Sequence, residues 1–378
     1  MAGPCLARLR AARLRAQTLF EFVQPEALYR RPIAERHRLV FYVGHLEAFD
    51  WNLIGRGQFK IPPFHEEFDR LFAFGIDPPP GQAPSDQPSD WPELARAEEY
   101  VAEVRERIDR LWDDVPSQLR HVAVEHRLMH VETLQYLLHR LPLESLRPPR
   151  ESAATGACRP GGSPIPIDSG EAVLGQSDPQ AFGWDNEFAP QRVFVPEFRV
   201  QPHKVTNGEW LKFMEATGAA PPHFWREREG AWLLRTLFEE IPLPLDWPAY
   251  VTHSQATAYA EWMGMRLPTE AEWHRAAELL PDDECPNTDF RRWDPEPAGY
   301  GHQLVGNGWE WTSTVFAPFD GFSPFPFYRG YSADFFDGAH YVLKGGSPAT
   351  AGALTRRSFR NWFRPDYPYI YSGFRCVS

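Results

Sequence analysis

The stretch Glu125-His126-Arg127-Leu128-Met129-His130-Val131-Glu132 places two histidines four residues apart inside the longest clean helical pattern of the chain, from about Pro116 to Leu141. An α-helix turns once every ~3.6 residues, so His126 and His130 lie one above the other on a single face. Two imidazoles so placed can grip one metal ion. Ordinary helix histidines share the same spacing, and the pair alone leaves both readings open.

The elements that must position this pair follow from length and composition. The chain has 378 residues, 43% of them hydrophobic, with fourteen Trp, thirteen Tyr and twenty-seven Phe. That length is too great for one ordinary domain and suits two, each with a substantial core. The net charge of −12 comes without a concentrated basic stripe, which argues against a nucleic-acid partner. No apolar run reaches the roughly 18 to 20 residues that span a bilayer, so no membrane partner is expected. Met1 to Leu19 carries Arg8, Arg10, Arg13 and Arg15 without an apolar segment or cleavage site, and reads as a first amphipathic helix rather than a secretory signal. Cys5, Cys158, Cys285 and Cys376 are widely scattered and form no CxxC. A disulfide framework is not expected, and the cytoplasm is the expected location.

Four helices are expected in the first part of the chain. One runs from Cys5 to about Tyr29 and a second from Ile33 to about Gly55, with Tyr42, His45, Leu46, Phe49 and Leu53 at helical spacing. A stretch rich in Pro, Gly, Ser and Asp (Asp77 to Asp90) precedes the third, which opens near Trp91-Pro92-Glu93 and carries its apolar stripe on Val101, Val104, Ile108 and Leu111. The fourth holds His126 and His130. Such a bundle can hold a metal among its core positions. Between about Pro142 and Ser169 the composition turns to Pro, Gly and Ser, as a linker does. Beyond it the periodicity is short and broken. Helical runs are expected only near Asn207 to Ala216, Ser254 to Met263 and briefly after Pro268, within an irregular mixed α/β domain rich in aromatics.

The second half also contains an ordered series of phrases: Phe182-Gly183-Trp184-Asp185-Asn186-Glu187, Val205-Thr206-Asn207-Gly208-Glu209-Trp210, Arg266 to Trp273, Gly306-Asn307-Gly308-Trp309-Glu310-Trp311-Thr312, Lys344-Gly345-Gly346-Ser347 and Gly373-Phe374-Arg375-Cys376. This half resembles the formylglycine-generating-enzyme-like domain, which has a C-type-lectin-like fold. The first half resembles a DinB-type four-helix bundle. Joined in this order, the two resemble the ergothioneine-biosynthesis sulfoxide synthases (EgtB-like), which are non-haem iron enzymes. The likeness implies an α plus mixed α/β chain: a DinB-like bundle over 1–142, a linker over 143–168 and the lectin-fold domain over 169–378. Most of the quoted phrases are expected to serve turns, helix starts and packing. Asn307 and Glu310 offer hard oxygen ligands for a structural calcium, beside a purely structural role.

The resemblance implies three iron ligands. His45, in Val43-Gly44-His45-Leu46, matches the histidine of an early bundle helix, and His126 and His130 match the HxxxH pair. Three imidazoles leave open positions on one side of the metal, where a thiolate and dioxygen can meet. Glu132 corresponds to a partner behind the ligands, and is the fallback ligand. The catalytic tyrosine of the family corresponds to Tyr328, in Tyr328-Arg329-Gly330-Tyr331-Ser332 followed by Phe335-Phe336, and would act as proton donor. Tyr331, Asn361 and Trp362 fall where the family binds hercynine, the trimethylated histidine. Aromatic faces attract such a quaternary ammonium by about 0.5 to 2 kcal/mol.

Departures from the family bear on the sulfur donor. Leu71 to Asp90 contains no Lys or Arg where members that use γ-glutamylcysteine place an arginine, and Phe363 and Tyr367 stand where those members place an aspartate and an arginine. Met129 replaces their glutamine. Free cysteine therefore fits better than γ-glutamylcysteine, and the selenosugar of the related selenoneine synthases is the alternative. Arg360 or Arg364 offers a carboxylate anchor. The expected activity is iron(II)- and O2-dependent joining of a thiol, or a selenol, to the imidazole ring of hercynine. A zinc-dependent thiol transferase of the DinB type leaves Tyr328, Tyr331 and Trp362 unexplained. Formylglycine generation needs two reactive cysteines near the C-terminus, where only Cys376 lies. A binding module with a dead bundle would not need all three histidines.

Overall fold

Two prolines cut the N-terminal apolar pattern into separate pieces. The computed structural model describes residues 4–74, 83–149, 161–178, 180–281, 283–299 and 301–378. Helix α1 (Pro4–Glu21) stops well short of Tyr29, because Pro25 cannot continue it and instead opens a tight turn over Pro25–Tyr29. Pro32 likewise keeps the next stretch out of the helix, so α2 (Leu39–Asp50) begins six residues later than expected. It continues into a wider π-helical segment, Trp51–Gln58. Helix α3 (Glu66–Phe74) is an addition to the four expected helices. Glu66, Glu67 and Asp69 in its first turn suit the positive end of the helix dipole. Phe68 and Phe72, one turn apart, are both buried, each worth about 2 kcal/mol by transfer. Asp69 ties α3 down, accepting from Trp51 Nε1 at 3.1 Å and from the Tyr100 hydroxyl at 2.9 Å.

Helix α4 (Leu94–Leu111) buries one stripe, Ala97, Tyr100, Val104 and Ile108, and shows solvent the rest. Helix α5 (Ser117–His139) is buried almost all round. It lies against α1 and α2, while α2 lies against α3 and α4 as well. These elements form the first unit, Met1–Glu151.

The second unit, Ser152–Ser378, is a mixed α/β fold of small sheets. Residues 150–160 of the expected linker, and 75–82 of the Pro-rich stretch, lie outside the described residues; the described part of the linker holds a turn at Leu143–Ser145 and the strand β1 (Ile165–Ile167). In chain order there follow β2 (Gly170–Leu174), β3 (Gln191–Val195), β4 (Phe198–Val200), α6 (Asn207–Thr217), β5 (Trp225–Arg228), β6 (Ala231–Arg235), β7 (Glu240–Pro242), α7 (His253–Trp262), α8 (Glu270–Leu279), β8 (Trp309–Val315), β9 (Tyr341–Lys344), β10 (Asn361–Phe363) and β11 (Ser372–Gly373). The three helices match the expected runs. Each starts on a threonine, Thr206, Thr252 or Thr269, whose hydroxyl accepts from the third helical N–H, while Glu209, Gln255 or Glu272 reaches back to the threonine N–H.

The largest sheet has the order β10-β9-β8-β11, with β11 parallel to β8 and the other pairs antiparallel. Trp184, Trp210, Trp273, Trp309 and Trp311 are fully buried in this unit and supply much of its core. The final residues thread through it: Val377 exchanges main-chain hydrogen bonds with Arg266, and Ser378 with Arg199. Among the described residues no helix is long and apolar enough to cross a membrane.

Candidate metal centre and aromatic cluster

His45, His126 and His130 come together in the first unit, from α2 and α5, with one ligand nitrogen of each lying within 4.8 Å of the others. His45 Nε2 is 3.3 Å from His130 Nε2. On its other side, His45 Nδ1 lies 2.7 Å from the carbonyl oxygen of Phe72 in α3. A carbonyl only accepts, so Nδ1 carries the proton and Nε2 presents its lone pair to the cluster. Gly44 permits that approach, since a Cβ there would meet the Phe72 ring at 2.4 Å. Phe49 stacks on the His126 ring at 3.5 Å and Phe41 on the His45 ring at 4.5 Å, holding both imidazole planes.

Burial keeps these rings neutral. It pushes His45 down to about 4 against the opposing pull of the Phe72 carbonyl. Burial, then the neighbouring imidazoles, hold His126 and His130 well below the ordinary histidine range. Three neutral imidazoles converging from two helices are the donor set of a transition metal, so the residues fit the metal that the sequence implied. Glu132 is half-buried and two residues past His130, a step of about 200° around the helix, and does not belong to the converging group. Met129, half-buried, is three residues past His126 and on the histidine face of α5.

Sequence reasoning passed over Glu47, Asp50 and Arg127. Arg127 is fully buried and donates to Glu47 Oε1 at 2.9 Å, Asp50 Oδ2 at 2.8 Å and the Leu46 carbonyl at 2.9 Å. The signal was present: charged residues embedded in runs such as Val43 to Trp51 and Val122 to Leu128 have no solvent to face.

In the second unit, Tyr328 and Tyr331 gather around Trp184, and Trp362 lies against Tyr331. Tyr331 stacks on Trp184 at 4.0 Å, Tyr328 lies edge-on to Trp184 at 6.5 Å, and Trp362 stands edge-on to Tyr331 at 5.4 Å and stacks on Phe316 at 4.2 Å. Burial, then the nearby Asp185 carboxylate, push the Tyr328 phenol up to about 12. The turn that carries both tyrosines is pinned at Ser332, which donates to Asp185 and accepts from Asn186 Nδ2 at 2.9 Å. The phrase Phe182 to Glu187 thus holds the tyrosine turn, a link across 146 positions that no local pattern could disclose.

Asn361 is half-buried, and its side-chain oxygen accepts from Trp362 N at 3.0 Å. Phe363 follows Trp362 along β10 and so faces the other side of the sheet, where it stacks on Tyr367 at 5.2 Å. Of the two candidate anchors, Arg360 is buried and committed to Glu270 Oε1 and the Ala317 carbonyl, both at 3.0 Å. Arg364 is the one at the surface, 3.3 Å from Asp337.

Glu310 and Asn307 are held as the purely structural reading expects. The Glu310 carboxylate accepts from Arg375 at 2.6 Å and from Lys204 at 3.1 Å, all three side chains being fully buried. Two buried cations thus neutralise the Glu310 carboxylate. Asn307 is spent on Asn287, Glu296 and Gln303. Cys376 is buried with its thiol pushed up to about 12 by burial, which makes it inert as a nucleophile.

Comparison with known proteins places this geometry in context. The family described as the sulfatase-modifying factor enzyme 1-like domain matches residues 151–281 and 286–378. The "Hercynine oxygenase" of Mycolicibacterium smegmatis is 35% identical, over 76% of this chain and 78% of the relative. Proteins named "Ergothioneine biosynthesis protein 1" from Neurospora crassa and Schizosaccharomyces pombe are 27% and 29% identical over 94% and 99% of this chain. The chain spans 55% and 56% of the length of those two fungal relatives.

Proposed function

Because this chain belongs to the EgtB-like family of hercynine oxygenases and ergothioneine-biosynthesis proteins, we propose that it is an O2-dependent enzyme that joins a thiol to C2 of the hercynine imidazole. The observation that carries the reading is the convergence of three neutral imidazoles, His45, His126 and His130, on one point between two helices. The reaction balances as thiol plus ring C–H plus O2 giving the sulfoxide plus water: a C–S and an S–O bond form, and the S–H and C–H bonds break. Iron(II) held by the three histidines would supply the one-electron chemistry that lets triplet O2 react with a thiolate.

The chain's own residues do the rest. Phe72 holds His45 in the tautomer that presents Nε2, and Phe49 and Phe41 keep the rings from turning. Tyr331 and Trp362 offer aromatic faces to the trimethylammonium group, with Asn361 beside them. Tyr328, protonated throughout the neutral range, gives a proton to the developing oxygen product and is restored from solvent. Met129 lies on the histidine face of α5.

Free cysteine is the proposed donor. The Phe363–Tyr367 stack brings no ion pair for γ-glutamylcysteine, and the surface cation beside it, Arg364, can meet a single carboxylate. The same aromatic stack favours a second donor, a selenol carried on a sugar whose C–H face packs on a ring. Free Cys376 and Cys285 suit a reducing cytoplasm.

Oxygen uptake by the iron-loaded protein with hercynine and a panel of thiols and selenols, followed by mass spectrometry, tests the reading. Uptake that needs hercynine and yields a C–S or C–Se product supports it. Stoichiometric zinc with thiol transfer and no uptake would replace it with the transferase.

A further inference from the structure

Arg127 is the residue directly after a metal-site histidine, yet its side chain is turned about 100° away and driven into the α2 interface. All three of its acceptors, Leu46 O, Glu47 Oε1 and Asp50 Oδ2, lie on α2 within five residues of His45. Glu47 is shared with Arg105 of α4, whose Nε is 2.8 Å from Oε1. Adhesion alone does not account for this arrangement, since well-packed apolar side chains of similar volume hold two helices as well without desolvating charges. The planar guanidinium adds direction: its donors meet three fixed acceptors only at one axial position and one rotation of α5.

The metal centre needs that constraint. A slip of α5 by one residue along α2 is about 1.5 Å, whereas metal–nitrogen distances tolerate about 0.2 Å. The stacks of Phe49 on His126 and Phe41 on His45 orient the rings but allow sliding within a ring's width. The Arg127 fork reads the position along the axis. We propose that Arg127 is a positioning residue whose fork on Glu47, Asp50 and the Leu46 carbonyl sets the register of α5 on α2 and so brings His126 and His130 into metal-binding distance of His45. The inference rests on the metal-centre reading given above.

Cobalt(II) titration of the apoprotein, followed by its visible d–d bands, tests both and keeps them apart. His126→Ala should abolish the bands; if the wild type shows none, or His126→Ala matches it, the metal reading fails and the proposal with it. Arg127→Lys keeps the charge and loses the fork, and should weaken cobalt binding about 10- to 100-fold with shifted bands. Arg105→Gln removes the other cation from the same Glu47 carboxylate and should lower the unfolding temperature while leaving cobalt affinity and bands as in the wild type. Combining Arg127→Met, Glu47→Gln and Asp50→Asn leaves no bare carboxylate or guanidinium from the fork and should fold with weakened cobalt binding. Wild-type affinity and spectrum in either folded Arg127 variant would overturn the proposal. So would failure of both to fold while Arg105→Gln folds, since Arg127 would then serve stability alone.

Discussion

The imidazole of His45 and the main chain of Phe72 meet at 2.7 Å, and only a glycine at position 44 lets the two helices come close enough for it. Gly44→Ala inserts a methyl group 2.4 Å from the Phe72 ring. It should destabilise the first unit by about 1 to 3 kcal/mol and weaken metal binding, because α3 must back away and take the carbonyl with it. Thermal unfolding of the apoprotein and a metal titration measure the two effects. A variant with unchanged Tm and affinity would show that α3 is free to shift.

Tyr328→Phe keeps the ring beside Trp184 and Tyr331 and removes the proton. Formation of the C–S bonded product should fall by about 10²- to 10⁴-fold, while oxygen is still consumed in oxidising the donor. The ratio of the two products, read by mass spectrometry, decides. An unaltered ratio takes Tyr328 out of the chemistry.

Asp294 gives the second unit a pH dependence. Burial pushes its carboxyl up to about 6, although Leu237 N donates to it at 3.0 Å. The folded state therefore holds this proton more tightly than the unfolded chain. The cost of burying the charge is full above about pH 6 and disappears as pH falls toward the ordinary value near 4. Asp294→Asn should raise stability at pH 7 by about 1 to 3 kcal/mol and leave it unchanged at pH 4. Denaturant unfolding at both values is the check, and an equal effect at each would be contrary to this account.

Chelation should leave the second unit untouched. With Lys204 and Arg375 on Glu310, EGTA is expected to produce no shift in unfolding temperature. Glu310→Gln should cost about 3 to 5 kcal/mol, because two buried cations lose their partner. A chelator-sensitive Tm in the wild type would restore calcium.

What could be read in advance depended on where each residue faces. The expected stripe Val101, Val104, Ile108 and Leu111 announced α4 because one side of that helix meets water, though Val104 and Ile108 are buried with Ala97 and Tyr100 while Val101 and Leu111 are half-buried. In α2 helical spacing was visible, but nearly every residue is buried, so it marked no single face; the start at Leu39 was missed because Pro32 keeps the preceding stretch out of the helix, and His45 was picked out as a ligand by resemblance. Helix α3 is short, and its apolar residues are closely grouped, which hid the carbonyl that orients His45. The three threonine caps were legible because a capping box is local. The hold of Asp185 and Asn186 on Ser332, like the neutralisation of Glu310, joins residues far apart in the chain and left no local trace.

The threading of Val377 and Ser378 through the second unit sets an order of events during synthesis. That unit cannot complete its core until its last strand has left the ribosome. His45, His126, His130 and every partner of Arg127 are in hand by residue 139. At the usual ~5–20 residues per second, the stretch from there to Tyr328 takes roughly ten to forty seconds to make. For that interval the three histidines stand assembled before Tyr328 exists, so on the proposed reading the ion they take is set by which metal the cell keeps available at the ribosome.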